Sequence, residues 1–419
     1  MYERKRLYGA GRAALLAATA ALSLVCTETA LAQDNTDLAA SEPTPAIQEL
    51  RRIFMNDSIN ALTFHSIDSI FYTLPVKAGK IASPLSRDEH PLNFTYDFQG
   101  QTHTPEQFLE RTYTNALLVM KGDDIIYENY RNFTGPDTHF LSMSMAKSIT
   151  SILVGAALED GYIKSLDDTV ETYVPELIGT AYEGATVEDL LEMKSGANRP
   201  DSYRPEPGTP SAKLREEILV YNRRRIVEEA FMVDKIAEPG TIFQYSTLNT
   251  NLLGWILERA TGKPIDQYMS ERIWVPLGAQ ADGFFLTDGP PGVGRSTNGM
   301  GFNATLRDYA RLGQMMLHEG RVGERQIISP EWVRTSTVTT GPEPVSADEH
   351  WGYRYQWWTL ADSNAYMAIG LQGQFIYVDP DTQTVVVKLS YLPLATAEAG
   401  YLESEAFFRA VSNWEPTRP

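Results

Sequence analysis

Two stretches decide how this chain folds: Ala116-Leu-Leu-Val-Met-Lys-Gly-Asp-Asp-Ile-Ile-Tyr-Glu-Asn-Tyr130 and, a little further on, Phe140-Leu-Ser-Met-Ser-Met-Ala-Lys-Ser-Ile-Thr150. In the first, Asn115–Met120 and Ile125–Tyr130 are apolar, branched runs on either side of the tight Lys121-Gly122-Asp123-Asp124 sequence, which predicts a β-hairpin. In the second, Ile149, Ile152, Leu153, Ala156 and Leu158 recur at spacings of three and four. That period predicts a helix opening at Ser144, and Gly161 stops it.

Working outward toward the C-terminus, Thr186-x-x-Asp189 and Thr305-x-x-Asp308 have the form of capping boxes, and Ser329-Pro330 that of an N-cap followed by a first-turn proline. Strand patterns return at Ala365–Leu371, Gln374–Val378 and Thr384–Leu389, with Asp379-Pro380-Asp381 as a turn. Strands at both ends with helices between them predict an α+β fold, an α/β sandwich. Its antiparallel sheet comes from both chain ends and is flanked by helices, with a helical region at about 160–335 inserted. Toward the N-terminus, residues 33–50 are polar and read as a leader. Residues 51–112 lack periodicity and are expected to pack as an extension over a main domain at 113–415. No repeat of solenoid period is present.

The first 32 residues differ from the rest. Arg4, Lys5, Arg6 and Arg12 precede an apolar run from Ala13 to Val25, and Ala30-Leu31-Ala32 follows. This order predicts a signal peptide cleaved after Ala32, and an exported, periplasmic or secreted protein. The run is too short to span a bilayer, which needs about 20 apolar residues. Cleavage removes Cys26, the sole cysteine, so no disulfide or thiol chemistry is expected of the mature chain. The full chain's 43% hydrophobic and 11% aromatic content is enough to build a large core. A net charge of −18 argues against nucleic acid and anionic membrane surfaces as partners.

Ser144-Met145-Ala146-Lys147 carries the chemistry. Residues i and i+3 of a helix share a face, so the Lys147 amine can approach the Ser144 hydroxyl. A serine is a weak nucleophile without a base, and a lysine serves as one when burial lowers its pKa. At a helix start, backbone N–H groups can also hold an oxyanion. Ser144 is the only serine in the chain with lysine three residues on. The six histidines show no metal-ligand spacing, and neither His-Glu-x-x-His nor Gly-x-Ser-x-Gly occurs. No metal and no cofactor is expected. His139, close to Ser144 in sequence, reads as structural.

With these stretches the chain resembles the serine β-lactamase-like and penicillin-binding-protein superfamily, most of all the class C branch with its 6-aminohexanoate-dimer hydrolases and related esterases. Asp160-Gly-Tyr-Ile-Lys-Ser-Leu-Asp-Asp168, Leu190-Leu-Glu-Met-Lys-Ser-Gly196 and Gly352-Tyr-Arg-Tyr-Gln-Trp-Trp358 carry the resemblance further, over about 114–395. It implies a catalytic tyrosine, matched by Tyr245 in Phe243-Gln-Tyr-Ser-Thr-Leu-Asn-Thr-Asn-Leu-Leu-Gly254. The family's Tyr-x-Asn is altered here, with Thr247 in place of the asparagine. Tyr127-Glu-Asn129 and Tyr130-Arg-Asn132 match it literally but lie on the hairpin.

The resemblance also implies a substrate-side strand, usually Lys-Thr-Gly. Lys194-Ser195-Gly196 imitates it; the better match is Ala368-Ile-Gly-Leu-Gln-Gly-Gln374, with Ala368 in place of the lysine. The Leu371 and Ser144 amides would then form the oxyanion hole. Thr247, Gly370, Gln372, Gly373, Trp351 and Trp358 would contact substrate. The expected partner is a small ester or amide, with no membrane span; the oligomeric state is open. The activity implied is amide or ester hydrolysis through an acyl-enzyme, like that of a 6-aminohexanoate-dimer hydrolase. A carboxylesterase is the near alternative, a β-lactamase or D-alanyl-D-alanine carboxypeptidase a weaker one, and a ligand-binding homologue without turnover another.

Overall fold

The structure, a computed structural model, describes residues 42–202, 208–338, 351–360 and 362–416. The stretch read as a signal peptide and the first half of the leader, residues 33–41, lie outside them. Eight strands form the main sheet. In chain order they are β1 (Ser86–Arg87), β2 (Thr114–Lys121), β3 (Asp124–Tyr130), β4 (Trp351–Arg354), β5 (Trp357–Leu360), β6 (Tyr366–Gly370), β7 (Gln374–Asp379) and β8 (Thr384–Ser390). Their spatial order is β4-β5-β6-β7-β8-β2-β3-β1, antiparallel throughout except where β1 runs parallel to β3. The sheet is therefore assembled from both ends of the chain. β8 closes it by pairing with β2, from Thr384 opposite Lys121 to Ser390 opposite Thr114.

Side chains alternate across a strand with period two, and here both faces are covered. Leu118, Met120, Ile376, Val378, Val385 and Val387 enter the larger core, against helix α1 (Met145–Glu159) and helix α3 (Leu306–Leu317). Leu117, Val119, Phe375, Tyr377 and Val386 face the other way, onto Pro105–Arg111 and the C-terminal helix α4 (Ala397–Asn413). Burial on both faces explains why these segments read as unbroken apolar runs. Each such side chain contributes about 1.5–3 kcal/mol of burial.

α1 is buried along nearly its whole length, from Met145 to Ala157, and lies beside helix α2 (Thr247–Thr261). Both α1 and the helices that cap themselves follow the sequence. Thr186 and Asp189 form the reciprocal box, and Ser329 caps through its bond from Trp332 N–H. At Thr305 the cap is kept, but the Asp308 carboxylate turns instead to the amides of Gln280 and Ala281.

The inserted region is not wholly helical. Gly283–Leu286 and Phe302–Thr305 belong to a second, four-stranded sheet with Thr73–Val76 and His139–Leu141. These strands are four residues or fewer, too short to show a period. Within residues 51–112, Thr73–Val76 and Ser86–Arg87 each add a strand to a sheet, so this segment is woven into the fold. Phe54, Phe64, Ile67, Ile70 and Phe71 form a third core with Leu141 and Met143, directly ahead of Ser144.

Candidate active site

Ser144 is the N-cap of α1, at the end of a tight turn in which Met143 has φ 46°. A non-glycine residue in that region is uncommon and marks a constrained turn. The hydroxyl of Ser142 is tied to the Met143 carbonyl at 3.0 Å. One helical turn on, Lys147 Nζ donates to Ser144 Oγ at 3.0 Å, to Thr247 Oγ1 at 2.8 Å and to the Gly299 carbonyl at 2.9 Å. Lys147 is 1% exposed. Burial lowers its amine from the usual lysine range to about 8, while the Asp201 carboxylate, 4.0 Å away, pulls the other way. A buried lysine with a lowered pKa is a competent base for a neighbouring hydroxyl.

The ring of Tyr245 lies 4.8 Å from Lys147 Nζ. Tyr353 and Trp358 flank it, with ring centroids 5.9 and 5.6 Å from that of Tyr245. Thr247 opens α2. Its amide and hydroxyl both donate to Asp201, at 2.8 Å to Oδ1 and 2.6 Å to Oδ2, as suits a carboxylate at a helix start. Asp201 is the site residue that sequence reasoning missed. It is 46 positions from Thr247, in a loop without periodicity, and no local signal connects the two.

β6 forms the opposite wall. β5 pairs with it only through Tyr366 and Met367, so Ala368–Gly370 has an open edge on that side. Gly370 is required by close approach: a Cβ there would lie 2.2 Å from the Ser142 carbonyl oxygen. This contact brings Leu371 alongside the nucleophile turn. Two amides at this junction, of Ser144 and Leu371, lie just outside helix α1 and strand β6 and suit an oxyanion hole.

The other residues expected at substrate are distributed differently. Gln372 (φ 62°) is buried. Its side chain donates to the Met55 carbonyl at 3.1 Å, and its amide donates to the Tyr401 hydroxyl at 2.9 Å. Gly373 (φ 90°) rests on Ser390 and Lys388. Both shape the turn from behind. Trp351 donates its indole N–H to Glu405 of α4 and stands edge to face with Trp358. Packing on α4 places it there.

Lys388 lies against Gly373 but is fully buried, bound to Ser390 Oγ and the Thr112 carbonyl. Ala368 is buried as well, so nothing at β6 replaces the lysine of Lys-Thr-Gly. Gln356, within the Gly352–Trp358 stretch, braces the site from below. Its carbonyl accepts from Ser148 of α1, and its side chain bonds Thr250 of α2 and the Leu190 carbonyl. Lys194-Ser195-Gly196 lies elsewhere, with Ser195 bonded to Asn249, and His139 bonds the Asp282 carbonyl. Tyr130 bonds Glu128 within its own strand, and Tyr127 packs toward α4. No cluster of three or more His, Cys, Asp or Glu side chains able to hold a metal occurs among the described residues. No helix among them is long and apolar enough to cross a membrane.

A serine turn, its buried lysine and a glycine-edged strand on an α/β sandwich suit a hydrolase of the serine β-lactamase type, and the family model described as Beta-lactamase matches residues 106–402. The chain belongs to that family. It is 33% identical over 301 residues to a 6-aminohexanoate-dimer hydrolase of Paenarthrobacter ureafaciens, covering 69% of this chain and 75% of the relative. A solved Bacillus anthracis protein, provisionally described as a 6-aminohexanoate-dimer hydrolase, superposes with a TM-score of 0.76 at 23% identity, over 86% of this chain and 95% of that one. EstCE1, a hydrolase with promiscuous acyltransferase activity, superposes with a TM-score of 0.58 at 18% identity, over 73% and 96%.

Proposed function

We propose that this hydrolase cleaves small amides, and with them small esters, through an acyl-enzyme on Ser144, in the manner of a 6-aminohexanoate-dimer hydrolase. The observation that carries the reading is the buried Lys147 amine 3.0 Å from Ser144 Oγ. Lys147 takes the hydroxyl proton as Oγ attacks the carbonyl carbon. The oxyanion lies between the Ser144 and Leu371 amides. As the C–N or C–O bond breaks, Tyr245 passes the proton to the leaving amine or alcohol. Water then attacks the acyl-enzyme by the same route reversed, releasing the acid and restoring Ser144.

A carboxylesterase reading shares every step. It is favoured by the aromatic wall of Tyr245, Tyr353 and Trp358 and by the lack of a cation at Ala368. The similarity to the dimer hydrolase supports reading amides first. Steady turnover, against a single stoichiometric burst, separates either enzyme from a ligand-binding homologue. The experiment is labelling with a fluorophosphonate probe, followed by a panel of p-nitrophenyl esters, linear amide dimers and nitrocefin. Ser144→Ala should lose both label and turnover; a label mapped by mass spectrometry to another residue refutes the assignment. Export with removal of residues 1–32 is part of the proposal.

A further inference from the structure

Asp201 divides the hydrogen-bonding capacity of the site in one way. A carboxylate accepts and cannot donate, so the Thr247 proton points to Asp201 Oδ2 along a 2.6 Å bond. The Thr247 oxygen then offers Lys147 only lone pairs. The Gly299 carbonyl, the second partner of Lys147 Nζ, can likewise only accept. A neutral amine has two N–H bonds and one lone pair. With both N–H bonds taken by Thr247 and Gly299, the lone pair is left facing the third partner, the Ser144 hydroxyl, 3.0 Å away. A hydroxyl left free to rotate at Thr247 could instead donate to that lone pair and occupy the base.

We infer that Asp201 is a positioning residue which, through Thr247, holds the Lys147 amine with its lone pair toward Ser144. The inference rests on the Ser144–Lys147 reading and adds a role that neither residue type nor spacing announced. It also gives the departure from Tyr-x-Asn a physical content: the side chain at position 247 works as an acceptor whose donor is satisfied elsewhere.

Asp201→Asn is the direct test. Asparagine has one acceptor where the carboxylate has two, and the Thr247 amide must keep it. Its NH2 then faces the Thr247 oxygen and turns the hydroxyl proton toward Lys147. With a p-nitrophenyl ester, kcat should fall roughly 10- to 100-fold, the worth of a hydrogen bond to a charged group, with KM changed less than about threefold. Thr247→Val should lower kcat as well, and Thr247→Ser should recover most of that loss. In the Thr247→Val background, Asp201→Asn should cost less than about threefold more, because the path runs through the hydroxyl.

The inference is overturned if Asp201→Asn keeps kcat within about threefold, if its loss lies only in KM, or if the two losses multiply. Should Asp201→Asn not fold, the Thr247 pair decides: equal kcat for the serine and valine variants overturns the inference. Ser144→Ala, assayed alongside, separates the two levels. If it is inactive while Asp201→Asn is normal, only the role of Asp201 has failed; if it turns over normally, the nucleophile reading has failed too.

Discussion

Gly370→Ala tests the wall that faces the nucleophile. An added Cβ would lie 2.2 Å from the Ser142 carbonyl oxygen and 2.8 Å from Gln374 Cβ. Ordinary C···O contacts are about 3.3 Å or longer, so the strand end and the turn before Ser144 must separate by about 1 Å. Neither side yields easily. The turn is pinned by Ser142 and the strained Met143, and the strand by Gln374, whose NH2 bonds the Ser390 carbonyl at 2.7 Å. A 1 Å displacement of an oxyanion donor costs about 100-fold in kcat. The overpacking itself should cost about 1–3 kcal/mol of stability. Both are measurable together, by turnover of a p-nitrophenyl ester and by thermal unfolding. The expected result is a folded variant whose kcat has fallen by about two orders of magnitude. A folded variant with kcat within about threefold of the parent would show that this strand does not supply the oxyanion hole.

Other expectations follow from the same geometry. Because the Lys147 amine has been lowered to about 8, it is protonated below that pH and free above it. kcat/KM for a neutral ester should therefore rise about tenfold per pH unit at low pH and level off above about 8; a flat profile between pH 6 and 9 would remove Lys147 as the base. The buried Ala368 and the inward Lys388 leave strand β6 without a cation for a β-lactam carboxylate. A short p-nitrophenyl ester should then exceed nitrocefin in kcat/KM by at least roughly 100-fold, and fast penicillin hydrolysis would contradict this. N-terminal sequencing of exported protein should begin at Gln33; a product retaining Met1 would refute the cleavage.

The hairpin β2–β3 and the strands β7 and β8 were legible because burial on two faces leaves long apolar runs with clear turns between them. Ser144 and Lys147 were legible because their contact is local, one helical turn apart. Tyr245 and Leu371 entered the candidate site only through the family resemblance, since nothing in their own surroundings marks them. Asp201 was not legible: its partner is 46 residues away, and a lone aspartate in a polar loop looks like any other. Gln372 was placed by the same resemblance; the left-handed φ at 372 turns its side chain inward to the Met55 carbonyl. The segment 51–112 gave no pattern because its strands, of two to four residues, are held by what they pack against, not by their own sequence.

That bond from Gln372 to Met55 has a practical consequence for how the molecule can be cut. The family match begins at residue 106, which invites trimming everything before it for expression or for fusion to another protein. Such a trimmed form would keep every residue proposed to do chemistry. It would lose the carbonyl that grips the turn after Gly370, and the phenylalanines that pack behind Leu141 and Met143. The limit of recognisable kinship is thus not the limit of the working unit. Shortened versions should be designed from Pro43 onward, and grafts of the catalytic segment into other scaffolds should carry residues 43–76 with them.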